Sequence, residues 1–200
     1  MDVKSRKAEQ SEATKAALLA VARQLFAERG YADTPTEEIV ERAGVTRGAL
    51  YHHFRDKEAL FRAVFEQLEQ ELLERATGAF EPETELWENL QNAMQAFLDA
   101  SLEPDVQRIV LIDAPAVLGW KAYRDIAQQY SLGALEATVQ AAVDAGIIER
   151  QPARPLARMI VGALEEACML IGSADDPVVA RTEAGDAVRR LLDGLRVSRA

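Results

Sequence analysis

The 200-residue chain predicts an all-α protein: a three-helix helix-turn-helix domain at the N-terminus, then a larger helical domain. Three observations carry that expectation. Ala, Leu, Glu and Arg dominate, 48% of residues are hydrophobic and only 6% aromatic, a mix that favours helices. Apolar residues recur at three- and four-residue spacing from end to end, while no useful stretch alternates as a strand would. Glycines and prolines punctuate those periodic stretches.

Residues 1–10 lack apolar periodicity and read as a mobile arm, and Lys4, Arg6, Lys7 and Lys15 make it basic. Such an arm reaches the minor groove in other helix-turn-helix proteins, and a tail without function is an equal alternative. A helix is expected from Ser11, with Leu18, Val21, Ala22, Leu25 and Phe26 on one face and Gly30 at its end. Residues 34–57 read as two short helices joined by a tight turn. Thr34, Pro35 and Glu37 suggest a hydroxyl cap, proline at the first helical position and a closing capping box. Ile39 and Ala43 supply the apolar stripe, and Gly44 stops the helix in a left-handed conformation. Val45 plugs the turn. Thr46 caps a second helix of about two turns, buried through Leu50 and Phe54.

A long helix from Lys57 follows, with Leu60, Phe61, Val64, Leu68, Leu72 and Leu73 in its stripe; Gly78 and Pro82 mark its end. It is the floor of the first domain and the start of the second, which places the boundary between residues 1–56 and 57–200. Connectivity makes it a lever, since a shift at its far end would tilt the short helix before it. Thr84 to about Ser101 forms the next helix, and Pro104 opens a shorter one that ends at Asp113-Ala114-Pro115. A long helix is expected from Val117 to Ala145, with Gly146 as its stop. The last two helices span about Pro155–Gly172 and Pro177–Val197; they either cover their own core or pair with a second copy in a four-helix bundle.

The second short helix leaves Arg47, Gly48, Tyr51 and His52 outward, with Lys57 directed at the same region. Arg binds a guanine edge with two hydrogen bonds, and Tyr, His and Lys suit phosphate oxygens. Gly permits close backbone approach. A solvated face with a structural glycine is the alternative. The run Gly30-Tyr31, Thr34, Ile39, Ala43-Gly44-Val45-Thr46, Gly48, Leu50-Tyr51, His53-Phe54 and Lys57 resembles the N-terminal domain of TetR-family transcriptional regulators over roughly residues 11–60. The remainder is similar in length and helical character. The resemblance implies a homodimeric repressor, joined through its last two helices, that leaves a palindromic operator in double-stranded DNA when a small molecule binds. By position, it implies phosphate or base contacts from Thr36, Thr46, Arg47, Gly48, Tyr51, His52 and Lys57. His53 also matches, as a packing residue more than a contact. Two positions depart from the family pattern: Pro35 replaces a common hydroxyl residue, and Glu37 puts an acid near the DNA.

Charge opposes nucleic-acid binding at first sight, because the chain carries a formal −10. Residues 1–60, however, hold ten Lys/Arg against ten Asp/Glu, whereas residues 61–200 hold thirteen against twenty-three. The acidity lies away from the helix-turn-helix, so non-specific DNA affinity should be modest and strongly salt-dependent. A single cysteine, Cys168, rules out an intramolecular disulfide framework and fits a reducing cytoplasm. No apolar run nears the roughly 20 residues that span a bilayer. His52 and His53 are adjacent on a helix, point about 100° apart and cannot chelate one metal. With no phosphate loop or metal-ligand spacing, neither catalysis, a metal nor a cofactor is expected.

If the second domain senses a molecule, Trp87, Met94, Phe97, Asp113, Trp120, Tyr123 and Cys168 are the candidates to line its cavity. Asp113 is the sharpest: it either anchors a basic ligand, or caps the following helix or pairs with an internal Arg such as Arg108 or Arg124. The competing class of function is an all-helical protein with a weak helix-turn-helix whose second domain binds another protein or acts as an enzyme.

Overall fold

A computed structural model describes residues 3–197 of the chain, and side chains from Ala8. The described residues form nine α-helices and one π-helical segment, with a single bridge between Ile148 and Arg196 as the only extended pairing. They divide into two compact units, and the first is discontinuous: residues up to Leu68 together with Pro104–Trp120.

The first unit contains α1 (Val3–Arg29), α2 (Thr36–Arg42), α3 (Arg47–His53) and the front of α4 (Lys57–Gly78). The π-helix Val106–Asp113 and α6 (Ala114–Leu118) complete it. Its core is built by Leu18, Leu25, Phe26, Ile39, Leu50, Leu60 and Phe61, all fully buried. Each such side chain contributes about 1.5–3 kcal/mol by leaving water. Phe61 presents an edge to Phe26 at 5.2 Å and to Tyr31 at 5.1 Å. Helix α1 starts at Val3, so the stretch expected as an arm is helical from that residue. Good helix formers and the lack of Gly or Pro there let it propagate; the side chains of Lys4, Arg6 and Lys7 lie outside the described residues.

Two local expectations are corrected. Thr34 does not cap α2, whose N-cap is Pro35 with no side-chain bond. Its buried hydroxyl turns back to α1, donating to Gly30 O at 2.8 Å with Leu25 O at 3.2 Å. The end of a helix leaves carbonyls without donors, and Thr34 answers that need. Secondly, Asp113-Ala114-Pro115 is no break. The π-helix passes directly into α6, with Pro115 in the first turn of α6. The break falls at Gly119, at φ 78°, a conformation other residues resist. Helix α7 (Trp120–Asp144) therefore begins at Trp120 instead of Val117.

The π-helix is tied to α1 by charge. Arg23 donates to Asp105 Oδ2 from Nε at 2.9 Å and Nη2 at 2.6 Å. Asp113 Oδ2 accepts the Tyr31 N–H at 2.7 Å and lies 3.4 Å from Arg108 Nε. Gly30 has φ 83°, a conformation that side chains resist, and a Cβ there would also push the Arg108 guanidinium aside.

The second unit holds the rear of α4, α5 (Leu86–Ala100), α7, α8 (Ala153–Ser173) and α9 (Pro177–Asp193). Helix α8 packs on α9, and both meet α5. Leu90, Leu98, Ile126, Val139, Ile171 and Leu192 are core residues of this bundle. Buried Asn89 ties down the turn before α5, donating to Glu81 O and Thr84 O and accepting from Glu81 N. Arg181 of α9 grips α5 through Asp99, Gln95 Oε1 and Gln95 O. Gly146 at φ 68° ends α7 as expected. Helices α8 and α9 also expose Met159, Leu170, Val178, Val179 and Leu191.

Candidate functional site

In the first unit, α2 and α3 meet through a turn at Gly44, whose φ of 64° is the expected left-handed stop. The Thr46 hydroxyl accepts from Ala49 N at 3.1 Å, satisfying one of the four open N–H groups at the start of α3. A seven-residue helix has too few internal bonds to stand alone. It is held by that cap and by burial of Leu50 and Phe54. Anchoring one side fixes which residues face outward.

Arg47, Gly48, Tyr51 and His52 are all exposed, as is Thr46. The Arg47 guanidinium lies 5.6 Å above the Tyr51 ring and 3.4 Å from Glu37 Oε1 at the front of α2. Thr36 is half-buried and its hydroxyl donates to Glu37 Oε2 at 3.2 Å. Glu37 is therefore a hydrogen-bonded carboxylate: its own N–H first, then Thr36 and Arg47, hold its pKa below the usual value. A Cβ at Gly48 would meet only Thr46 Oγ1 at 3.8 Å, so no packing contact demands glycine there. Lys57 is half-buried; its ammonium lies 4.3 Å above the Tyr31 ring and donates to Ala32 O at 3.4 Å. Burial lowers its pKa, with Asp33 opposing. His53 is half-buried beside Phe54, in keeping with packing. The whole α2–α3 set thus lies in one unit, with donors and a bare backbone presented by one short helix.

The candidates for a ligand cavity separate. Asp113 and Trp120 belong to the first unit. Asp113 is 8% exposed and engaged by Tyr31 and Arg108, the internal pairing that sequence left open. Trp120 is 53% exposed. In the second unit Trp87, Met94, Tyr123 and Cys168 are buried and Phe97 is half-buried. The Trp87 indole N–H is buried without a hydrogen-bond partner. Burial pushes the Cys168 thiol up to about 12 and the Tyr123 phenol above its usual value, so both are neutral at pH 7.

Sequence reasoning missed two carboxylates in that interior. Glu69 on α4 is 5% exposed, and the Glu165 side chain on α8 is 11% exposed. Their signal was present: Glu69 follows Phe65 by four residues and precedes Leu72 by three, and Glu165 stands likewise between Val161 and Cys168. Both acids occupy apolar stripes. Burial raises the Glu165 pKa, while Arg124, with Nη2 at 3.4 Å from Oε2, lowers it.

Two protein families match this chain. One, described as "Bacterial regulatory proteins, tetR family", covers residues 18–64; the other, "Tetracyclin repressor-like, C-terminal domain", covers residues 87–195. A crystal structure of a TetR-family transcriptional regulator from Pectobacterium atrosepticum is similar at 36% identity and TM-score 0.85, covering 96% of this chain and 98% of that one. The Transposon Tn10 TetC protein of Escherichia coli is 29% identical over 139 residues, 70% of either chain. The HTH-type transcriptional regulator AcrR of Shigella flexneri is 42% identical over 64 residues, 32% of this chain and 30% of that protein.

Proposed function

The chain belongs to the TetR family of DNA-binding transcriptional regulators, and from that premise we propose a homodimeric repressor that a small molecule releases from a palindromic operator. The observation that carries the DNA reading is the outward set Arg47, Gly48, Tyr51 and His52 on a capped, anchored α3. Such a helix enters a major groove by its N-terminal end. Arg47 is the base reader in this reading; Tyr51, His52 and Lys57 meet phosphates, with Thr36 and Thr46 at the flanks and Gly48 admitting close backbone.

Dimerisation is supported by the unpaired apolar side chains of α8 and α9. Met159 is 72% exposed and Leu191 63%, a pattern that a second copy would cover. Two-fold symmetry then sets the recognition helices about 34–36 Å apart, or a multiple of that, and makes the operator a palindrome. Release by a ligand is supported by polar groups that the interior of the second unit leaves unsatisfied, Trp87 Nε1 and Glu165 Oε1.

Footprinting across palindromes at graded salt tests the reading. The expected result is a protected two-fold site whose affinity falls steeply with salt. Arg47→Ala should lose about 1–3 kcal/mol at one base position. A uniform loss over all sequences would make Arg47 a phosphate contact, and no protected palindrome would remove the repressor reading.

A further inference from the structure

Glu69 has no part in the DNA-binding argument, yet its position is unusual. It lies in the second unit and is 5% exposed, with burial the largest influence on its carboxyl group and Glu165 the second. A Leu or Met there would fill the same stripe without a polar atom to satisfy. Two neighbouring helices face the group electrostatically: α7 brings Tyr123, and α8 brings Glu165 and Cys168.

The charges in this cluster do not balance. Arg124 Nη2 lies 3.4 Å from Glu165 Oε2, so the guanidinium answers that carboxylate. The other oxygen, Glu165 Oε1, is buried with no hydrogen-bond partner. Ionised Glu69 would leave the interior one negative charge in excess, with Glu165 repelling it. An anionic ligand would be repelled by Glu165 and by Glu69 once ionised. Either a proton on Glu69 or a bound cation restores neutrality, so a cation competes with that proton.

We propose that Glu69, with Glu165 beside it, is the anionic seat of a ligand site in the second unit, taking an organic cation with an apolar body such as a hydrophobic amine, quaternary ammonium or phosphonium. The proposal rests on the reading that this unit senses a small molecule, and names its chemical class. Burial first, and Glu165 second, push the Glu69 carboxyl up to about 8, so the empty site holds a proton at pH 7. Binding of a permanent cation must expel it. Affinity therefore rises with pH, by about tenfold per unit below that value. Tyr123 and Cys168 keep their protons through this range, because burial raises both values.

The test is calorimetry on the full chain with a size series of cations: tetraethylammonium, methyltriphenylphosphonium and rhodamine 6G. Neutral triphenylphosphine oxide is the control. We expect at least one cation to bind at pH 7 with release of about one proton, read from the dependence of the heat on buffer ionisation. In Glu69→Gln, a neutral mimic of the protonated acid, that affinity should fall about tenfold or more and the proton release should vanish. The idea is overturned if no cation of the series binds, if binding releases no proton, or if Glu69→Gln binds it unchanged. It is equally overturned if the phosphine oxide binds as tightly and with the same dependence on Glu69, which would make the ligand neutral. Footprinting of both proteins without any compound separates the two readings. Loss of the footprint in both would remove the repressor reading, while the calorimetry still decides the cation.

Discussion

Arg47 faces solvent with an acid at its side. Its 3.4 Å pair with Glu37 is widely exposed on both partners, so it contributes little to stability and is screened by salt. In the proposed DNA complex it matters more, because the same carboxylate that orients Arg47 also repels phosphate. Glu37→Gln should raise operator affinity severalfold at low salt, with the gain shrinking as salt rises; mobility-shift titrations at two ionic strengths read both. Thr34 shows the opposite balance, being fully buried and structural. Thr34→Val leaves the Gly30 and Leu25 carbonyls without their donor and should cost about 1–3 kcal/mol in thermal or urea unfolding, whereas Thr34→Ser should retain most of it. The sequence pointed to a hydroxyl with a capping duty at Thr34 but not to its direction. A threonine between two helices can serve the end of the first or the start of the second, and only the path of the turn decides.

At the scale of elements, α3 depends on a single hydroxyl. Thr46→Ala should cost about 1 kcal/mol by leaving the Ala49 N–H open. It should weaken operator binding by more than its effect on global stability implies, since the fraying lies in the proposed recognition helix itself; parallel melting and binding curves compare the two. The α2–α3 pair was legible because its signals are local: Gly44 needs its left-handed φ, and Thr46 is followed by a short apolar stripe. Residues 104–120 were not, because Pro115 reads equally as a break or as a first-turn proline. Only packing of the π-helix on α1 chooses between them. Glu69 and Glu165 escaped notice for a related reason. Periodicity counts apolar residues, so a carboxylate within the stripe registers as a gap, although its burial has the larger consequence.

For the whole molecule, that burial makes stability depend on pH. The Glu69 carboxyl has an ordinary value of 4.5 when unfolded and about 8 when folded. The folded protein therefore holds this proton more tightly, and the stabilisation it gives is fully present below pH 4.5. It is lost as pH rises towards 8, by about 1.4 kcal/mol per unit across the window. Denaturant unfolding from pH 5 to 8.5 should show that decline in the native protein and a flatter profile in Glu69→Gln. Equal profiles would mean that Glu69 is solvated. The −10 charge acts at the same scale: the proposed operator complex would form against a repulsive background, so salt that weakens local contacts also relieves that repulsion.

The discontinuity of the first unit bears on how this protein can be cut and recombined. Arg108, Asp105 and Asp113 are encoded far downstream of the helix they brace, beyond the whole stretch 69–103. A fragment stopping at Leu68 would carry Arg23 and the Tyr31 amide with no counterparts, and a head grafted from a relative would meet a strap shaped for someone else's helix. Transplanting specificity in this protein should therefore move residues 104–120 along with the head, and a fragment ending at Leu68 should melt well below the parent unless that strap is supplied in trans.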